Sequence, residues 1–175
     1  MYHDDSPTIL PVCPQSILFV CTGNICRSVS AHTMMKAMLL KEGLSMYVDS
    51  AGIGARPGYH ACASTLQLLN KKGFDASAHR SRKITRQFID ASDIIIAMED
   101  IHREHIISEA PQAYSKIFLL SDFLPTPVGS SRESGIPDPI GRSAFFYENV
   151  NEMIELGCQG ILSKLKENKP GLNLL

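Results

Sequence analysis

The sequence predicts an α/β fold of Rossmann-like type: a four-stranded parallel sheet with helices on both faces. Three observations predict it. Short, fully apolar runs alternate with segments that keep helical spacing, in the order βαβαβαβα. Three of those runs are continuously apolar, as strands covered on both faces must be. The length of 175 residues suits one domain with a sizeable core. In such sheets ligands bind beyond the carboxyl ends of the strands, which directs attention to the loops after Val20, Asp49 and Leu120.

The first strand is Ser16-Ile17-Leu18-Phe19-Val20. Ala31, Met34, Met35, Met38 and Leu39 then fall at the spacing of one helix face, and Gly43 closes that helix. A short strand at 46–49 leads into a loop over 50–58, followed by a helix from about Ala61 to Lys72 with Gly73 as its stop. Asp93-Ile94-Ile95-Ile96-Ala97 and Lys116-Ile117-Phe118-Leu119-Leu120 are the third and fourth strands, with a polar helix over about 99–109 between them. The stretch 121–139, rich in Ser, Gly, Asp and Pro, reads as a long loop, and loops of that length are often functional. From Phe146, the residues Val150, Met153, Ile154, Cys158, Ile161, Leu162 and Leu165 carry the strongest helical periodicity in the chain.

Composition narrows the function classes. Lys and Arg number 17 against 18 Asp and Glu, so there is no global positive field for nucleic acid or an anionic membrane. Any bound anion must be held locally. The five cysteines are odd in number and irregularly spaced, with no C-x-x-C pair; a disulfide framework, a zinc site or any other metal centre is not expected. No apolar run reaches the length of a membrane helix. Residues 1–15 carry Asp4 and Asp5 where a signal peptide needs basic charge, and read as a flexible extension. The domain is expected over 16–168, a short tail over 169–175, and the compartment is expected to be the cytoplasm.

The first loop carries the chemistry. Cys21 and Arg27 form a C-x5-R spacing, followed by Ser28, between the end of a buried strand and the start of a helix. Backbone N–H groups and the helix dipole converge at such a junction and make an oxyanion site. Gly23 and Asn24 tolerate the left-handed backbone that a tight nest requires. Cysteines at a helix N-terminus beside an arginine favour the thiolate, and an arginine fork matches two oxygens of a phosphate. Ser28 can donate to that thiolate. Phosphoryl transfer through sulfur also needs an acid for the leaving oxygen. Asp138, stiffened by Pro137 and Pro139 in the loop before the last helix, is the best candidate.

Together these residues resemble the low-molecular-weight protein tyrosine phosphatase family, over Ser16 to about Leu165. Cys21-Thr22-Gly23-Asn24-Ile25-Cys26-Arg27-Ser28 is similar to the family's phosphate-binding loop, and Ser50-Ala51-Gly52-Ile53 to its Ser-Ala-Gly segment. His79-Arg80-Ser81-Arg82 is similar to its His-x-x-Arg element, and Asp138-Pro139-Ile140-Gly141 to its acid loop. The resemblance implies the phosphotyrosine phosphatase I type of fold and a two-step hydrolysis without metal or cofactor. Cys21 would attack phosphorus, Arg27 and the loop amides would hold the oxygens, and Asp138 would protonate the leaving group and then activate water. Asn24, Ser50 and His79 would buttress the loop by hydrogen bonds. Family members also form a reversible disulfide between two loop cysteines, which would make Cys26 the guard of Cys21. Cys13, Cys62 and Cys158 are expected to be structural or incidental.

The implied substrates are phosphotyrosyl proteins or small phosphomonoesters. Ile25 matches the tyrosine-directed branch, whereas the phosphoarginine branch tends to carry Thr there. Two aromatic pocket walls of the family are absent, because Arg56 and Ile140 stand in their places; Tyr59 is a candidate substitute. A thioredoxin-linked arsenate reductase shares the loop but needs two further cysteines, and the stretch 81–89 where they would lie has none. A silent phosphoprotein-binding module would be expected to lose Cys21, Arg27 or Asp138. A P-loop nucleotide binder is excluded, since no Gly-Lys-Ser/Thr follows a glycine-rich loop.

Overall fold

The computed structural model describes residues 9–125 and 135–168. Its sheet contains β1 (Ser16–Cys21), β2 (Tyr47–Gly52), β3 (Ile94–Ala97) and β4 (Ile117–Leu119), all parallel, in the order β2-β1-β3-β4. The helices are α1 (Arg27–Lys41), α2 (Ala63–Lys71), α3 (Arg86–Ala91), α4 (Asp100–Glu109) and α5 (Ala144–Glu167), with 3-10 turns at Pro111–Lys116 and Leu120–Phe123. The predicted four-stranded α/β architecture is the observed one.

The pleat of β1 divides the core. Ile17, Phe19 and Cys21 point to one side, where they meet Val29, Met34 and Met35 of α1 and Ile154, Cys158 and Ile161 of α5. Leu18 and Val20 point to the other, toward Ile95, Ile89 of α3 and Ile106 of α4. Each side buries a helix layer, which is why β1, β3 and β4 are almost wholly apolar. Leu10 is also buried in the first cluster, and Asn168 Nδ2 donates to its carbonyl at 3.2 Å, so residues beyond the predicted domain start pack against it.

Local chemistry sets the ends. Ser143 caps α5 by accepting from the Phe146 amide, and Thr85 caps α3 by accepting from the Phe88 amide. The helix α3 has no counterpart in the sequence reading, because its six residues are too few to display a period. Strand β2 runs three residues beyond its expected end: Ser50, Ala51 and Gly52 pair with Phe19, Val20 and Cys21, so the predicted 50–58 loop begins inside the sheet. The expected 121–139 loop opens with the turn at Leu120–Phe123, and residues 126–134 of it lie outside the described residues. Helix α5 starts two residues before Phe146, at its Ser143 cap. Among the described residues, no helix is long and apolar enough to cross a membrane.

Candidate active site

The site lies at the carboxyl end of the central strand β1. Cys21 is the last residue of that strand, and the segment 22–26 climbs directly into α1. Two features leave the N-terminus of α1 free for an anion: Cys26, at the cap position, makes no side-chain cap bond, and the first turn carries no acidic residue. Asn24 sits at φ 52°, the left-handed conformation that the loop needs and that Asn tolerates.

Asn24 organises the loop. Its Nδ2 donates to Ser28 Oγ at 2.9 Å and to Ser50 Oγ at 3.0 Å, and its Oδ1 accepts from the Arg82 amide at 3.0 Å. Its own amide donates to Cys21 Sγ at 3.3 Å, and His79 Nε2 donates to its carbonyl at 2.8 Å. Proton directions follow from these contacts. Ser28 Oγ already accepts from Asn24, so its hydroxyl proton points at Cys21 Sγ, 3.0 Å away. Likewise Ser50 accepts from Asn24 and donates to His32 Nδ1 at 3.3 Å. Burial, with help from Lys36, holds His32 down at about 4, so the ring is neutral and carries its proton on Nε2. Burial likewise lowers His79.

The adjoining strand reinforces this network from below. Arg82 donates through Nε to Ser50 O at 3.0 Å, pairs with Asp49, and stacks over Phe88. Gly52 lies where the sheet meets the loop: a Cβ there would sit 2.5 Å from Thr22 O and 2.9 Å from Asn24 N. Only a glycine admits that approach, a physical reason for the Ser-Ala-Gly segment.

Arg27 is buried, and its guanidinium is gripped on several sides. Nη1 donates to Ile136 O at 2.8 Å and pairs with Glu99, while Nη2 lies 3.0 Å from Asp138 Oδ2. The segment that carries Asp138 reaches it by a backbone anchor. Gly135, at φ 87°, donates to Ser121 Oγ, and the Ile136 amide donates to Met98 O at the end of β3. A side chain at Gly135 would lie 2.8 Å from Met98 O, so this turn too requires glycine. Asp138 itself is exposed, and its Oδ1 accepts from the Ile140 amide at 3.1 Å.

The structure therefore brings together Cys21, Asn24, Arg27, Ser28, Ser50, His79 and Asp138. Thr22, Gly23 and Ile25 line the same turn. Arg56, Tyr59 and Ile140 are exposed. The Cys26 sulfur lies 2.8 Å from that of Cys62. Sequence reasoning missed Glu99, His102 and His32. Glu99 N–H donates to His102 Nδ1 at 3.0 Å, so His102 donates through Nε2 to Thr22 Oγ1 at 2.9 Å. Burial, then the Arg27 charge, holds His102 down at about 4 and keeps it neutral. The loop after β3 was the available signal, since it too follows a strand's carboxyl end. Among the described residues, no group of three or more His, Cys, Asp or Glu is arranged to hold a metal ion.

Comparison with known proteins agrees with this geometry. The sequence model for low molecular weight phosphotyrosine protein phosphatase matches residues 16–171. A protein-arginine-phosphatase of Bacillus subtilis (strain 168) is 30% identical over 87% of this chain and 98% of its own length. A probable low molecular weight protein-tyrosine-phosphatase, EpsP of Ralstonia nicotianae, is 32% identical over 87% and 97%. The crystal structure of the tyrosine phosphatase Wzb from Escherichia coli K30, in complex with sulphate, superposes with a TM-score of 0.77 at 31% identity, covering 87% of this chain and 99% of that one.

Proposed function

The chain belongs to the low molecular weight phosphotyrosine protein phosphatase family, a family of hydrolases, and on that premise we propose that it hydrolyses phosphotyrosine and small aryl phosphate monoesters through a phosphocysteine. One observation carries the reading: Arg27, which closes the loop that begins at Cys21, reaches the segment that carries Asp138 through both nitrogens, Nη1 to Ile136 O and Nη2 to Asp138. A nucleophile, an oxygen clamp and an acid thus stand around one point.

The proposed sequence starts with the dianion. It enters the uncapped N-terminus of α1, where loop amides and Arg27 take its equatorial oxygens. The phosphate replaces Asp138 at Arg27 Nη2, and Glu99 stays on Nη1 to keep the fork aimed. Cys21 sulfur, faced by the Ser28 hydroxyl and the Asn24 amide, attacks phosphorus in line. Asp138, released from Arg27, gives its proton to the departing oxygen. In the second step Asp138 takes a proton from water, which attacks phosphorus and returns the Cys21 thiolate.

Ile25 supports tyrosine over arginine as the preferred phosphorylated residue, since it offers no hydroxyl to a guanidino group. The cytoplasm is the proposed compartment, because its reducing conditions keep a thiolate nucleophile active. The decisive experiment is hydrolysis of an aryl phosphate by the wild type and Cys21→Ser. Wild-type turnover with none from the variant is expected, and full activity in Cys21→Ser would sink the mechanism. Phosphotyrosyl, phosphoarginyl and phosphoseryl peptides assayed in parallel test the preference; a higher kcat/KM on phosphoarginyl peptide would overturn it.

A further inference from the structure

The two cysteines of the phosphate loop face different surroundings. Cys21 Sγ contacts Ser28 and Asn24, on the substrate side. Cys26 Sγ lies 2.8 Å from Cys62 Sγ, closer than the van der Waals contact of two unbonded sulfurs, and 3.5 Å from the Tyr147 hydroxyl of α5. Cys62 is the residue before α2, and its amide donates to Ile25 O at 2.9 Å, so the backbone itself fastens the start of α2 to the loop. Thr65 Oγ1 lies 3.1 Å from Cys62 Sγ on the other side. Cys26 is buried and Cys62 is partly accessible.

We propose that Cys26 and Cys62 form a dithiol site, separate from Cys21, that is oxidised to a disulfide by low-molecular-weight disulfides such as glutathione disulfide. The pairing differs from the loop disulfide that the family resemblance implies, and the proposal holds whatever phosphomonoester the enzyme takes. Cys62, the accessible member, attacks one sulfur of glutathione disulfide as its thiolate and releases one glutathione thiolate. Cys26 then loses its proton to solvent, attacks Cys62 Sγ and expels the second glutathione. Two protein thiols are oxidised and one external disulfide is reduced to two thiols. The local electrostatics favour this division of roles. Hydrogen bonding from Cys26, then from Thr65, lowers Cys62 against the opposing effect of its burial, while Cys26 is pushed up by the same contact and by its own burial.

Closing the contact to a bonded length of about 2.05 Å moves the sulfurs by less than an ångström, so the loop keeps its shape and Cys21 stays free. The cross-link spans 36 residues and restrains the unfolded chain. The test treats the full chain with glutathione disulfide, alkylates the remaining thiols, and maps cross-linked peptides by mass spectrometry. A Cys26–Cys62 peptide is expected, with Cys21 alkylated, aryl phosphatase activity within twofold of the reduced enzyme, and reversal by dithiothreitol. Melting temperature should rise by roughly 5–10 °C on oxidation of the wild type and not in Cys62→Ala. A Cys21–Cys26 peptide with loss of activity overturns the proposal, as does glutathione retained on Cys62 with no internal cross-link. Peptide mapping needs no turnover, so its outcome is independent of the proposed phosphatase chemistry; should Cys62→Ala fail to fold, the wild-type map still decides.

Discussion

The phosphate loop and the acid segment meet at Arg27 but are held in contrasting ways. From Cys21 to Ser28 the side chains of Asn24 and Ser28 are buried and bonded; His79, Arg82 and Ser50 brace Asn24, and His102 braces Thr22. The segment that carries Asp138 is held by the Gly135 and Ile136 amides and by Arg27, and Asp138 reaches solvent with 43% of its side chain exposed. The contrast matches the proposed tasks. An oxyanion cradle gains from donors fixed before substrate arrives, whereas an acid must leave Arg27 and follow a changing leaving group.

The largest expected effect joins both regions. Arg27→Ala removes the clamp and the partner of Asp138 together, and should lower kcat/KM on aryl phosphates by about 10³–10⁵. A loss below tenfold would break the proposed role. Asp138→Ala should cost about 10²–10⁴ on phenols of ordinary acidity and much less on strongly acidic ones. Rates plotted against leaving-group acidity check this; a uniform loss would place the defect in binding, not in the acid.

Asn24→Ala tests the rigid side of the contrast. It strands acceptor oxygens on Ser28 and Ser50 and the amide donor of Arg82, and puts alanine at φ 52°, so about 3 kcal/mol of stability should be lost, read by urea unfolding. Acidification tests it more gently. His32 and His102 are neutral buttresses held at about 4, below the ordinary 6.5. The unfolded chain therefore binds more protons as pH falls, so their stabilisation is whole above pH 6.5 and lost between 6.5 and about 4. The loss should be on the order of 1–3 kcal/mol for each ring, and His102→Gln should flatten that slope in urea midpoints. The smallest effect belongs to the acid segment. Ile140→Tyr restores an aromatic wall at an exposed position and should lower KM for aryl phosphates by about fivefold, seen in steady-state kinetics.

Much of this was legible in the sequence for stated reasons. Strands β1, β3 and β4 announce themselves as apolar runs, and the Cys21 to Ser28 loop lies at the first strand–helix junction. What stayed hidden has no local pattern. Helix α3 is held by one Thr85 cap and by burial of Ile89, neither of which generates a period. Glu99 and His102 look like ordinary polar residues of a polar helix; they become site residues only because β3 lies beside β1, with Val20 opposite Ala97. Cys62 reads as incidental until α2 is set against the loop. Contacts between distant segments are invisible to spacing.

The placement of β1 between β2 and β3 has a consequence for how the chain acquires its site. Contributions come from positions near 21, 50, 82, 99 and 138, so each end of the chain must be in place before the cradle exists. No early folding unit contains it. During refolding, recovered turnover should trail the appearance of helical signal, because long-range closures come late.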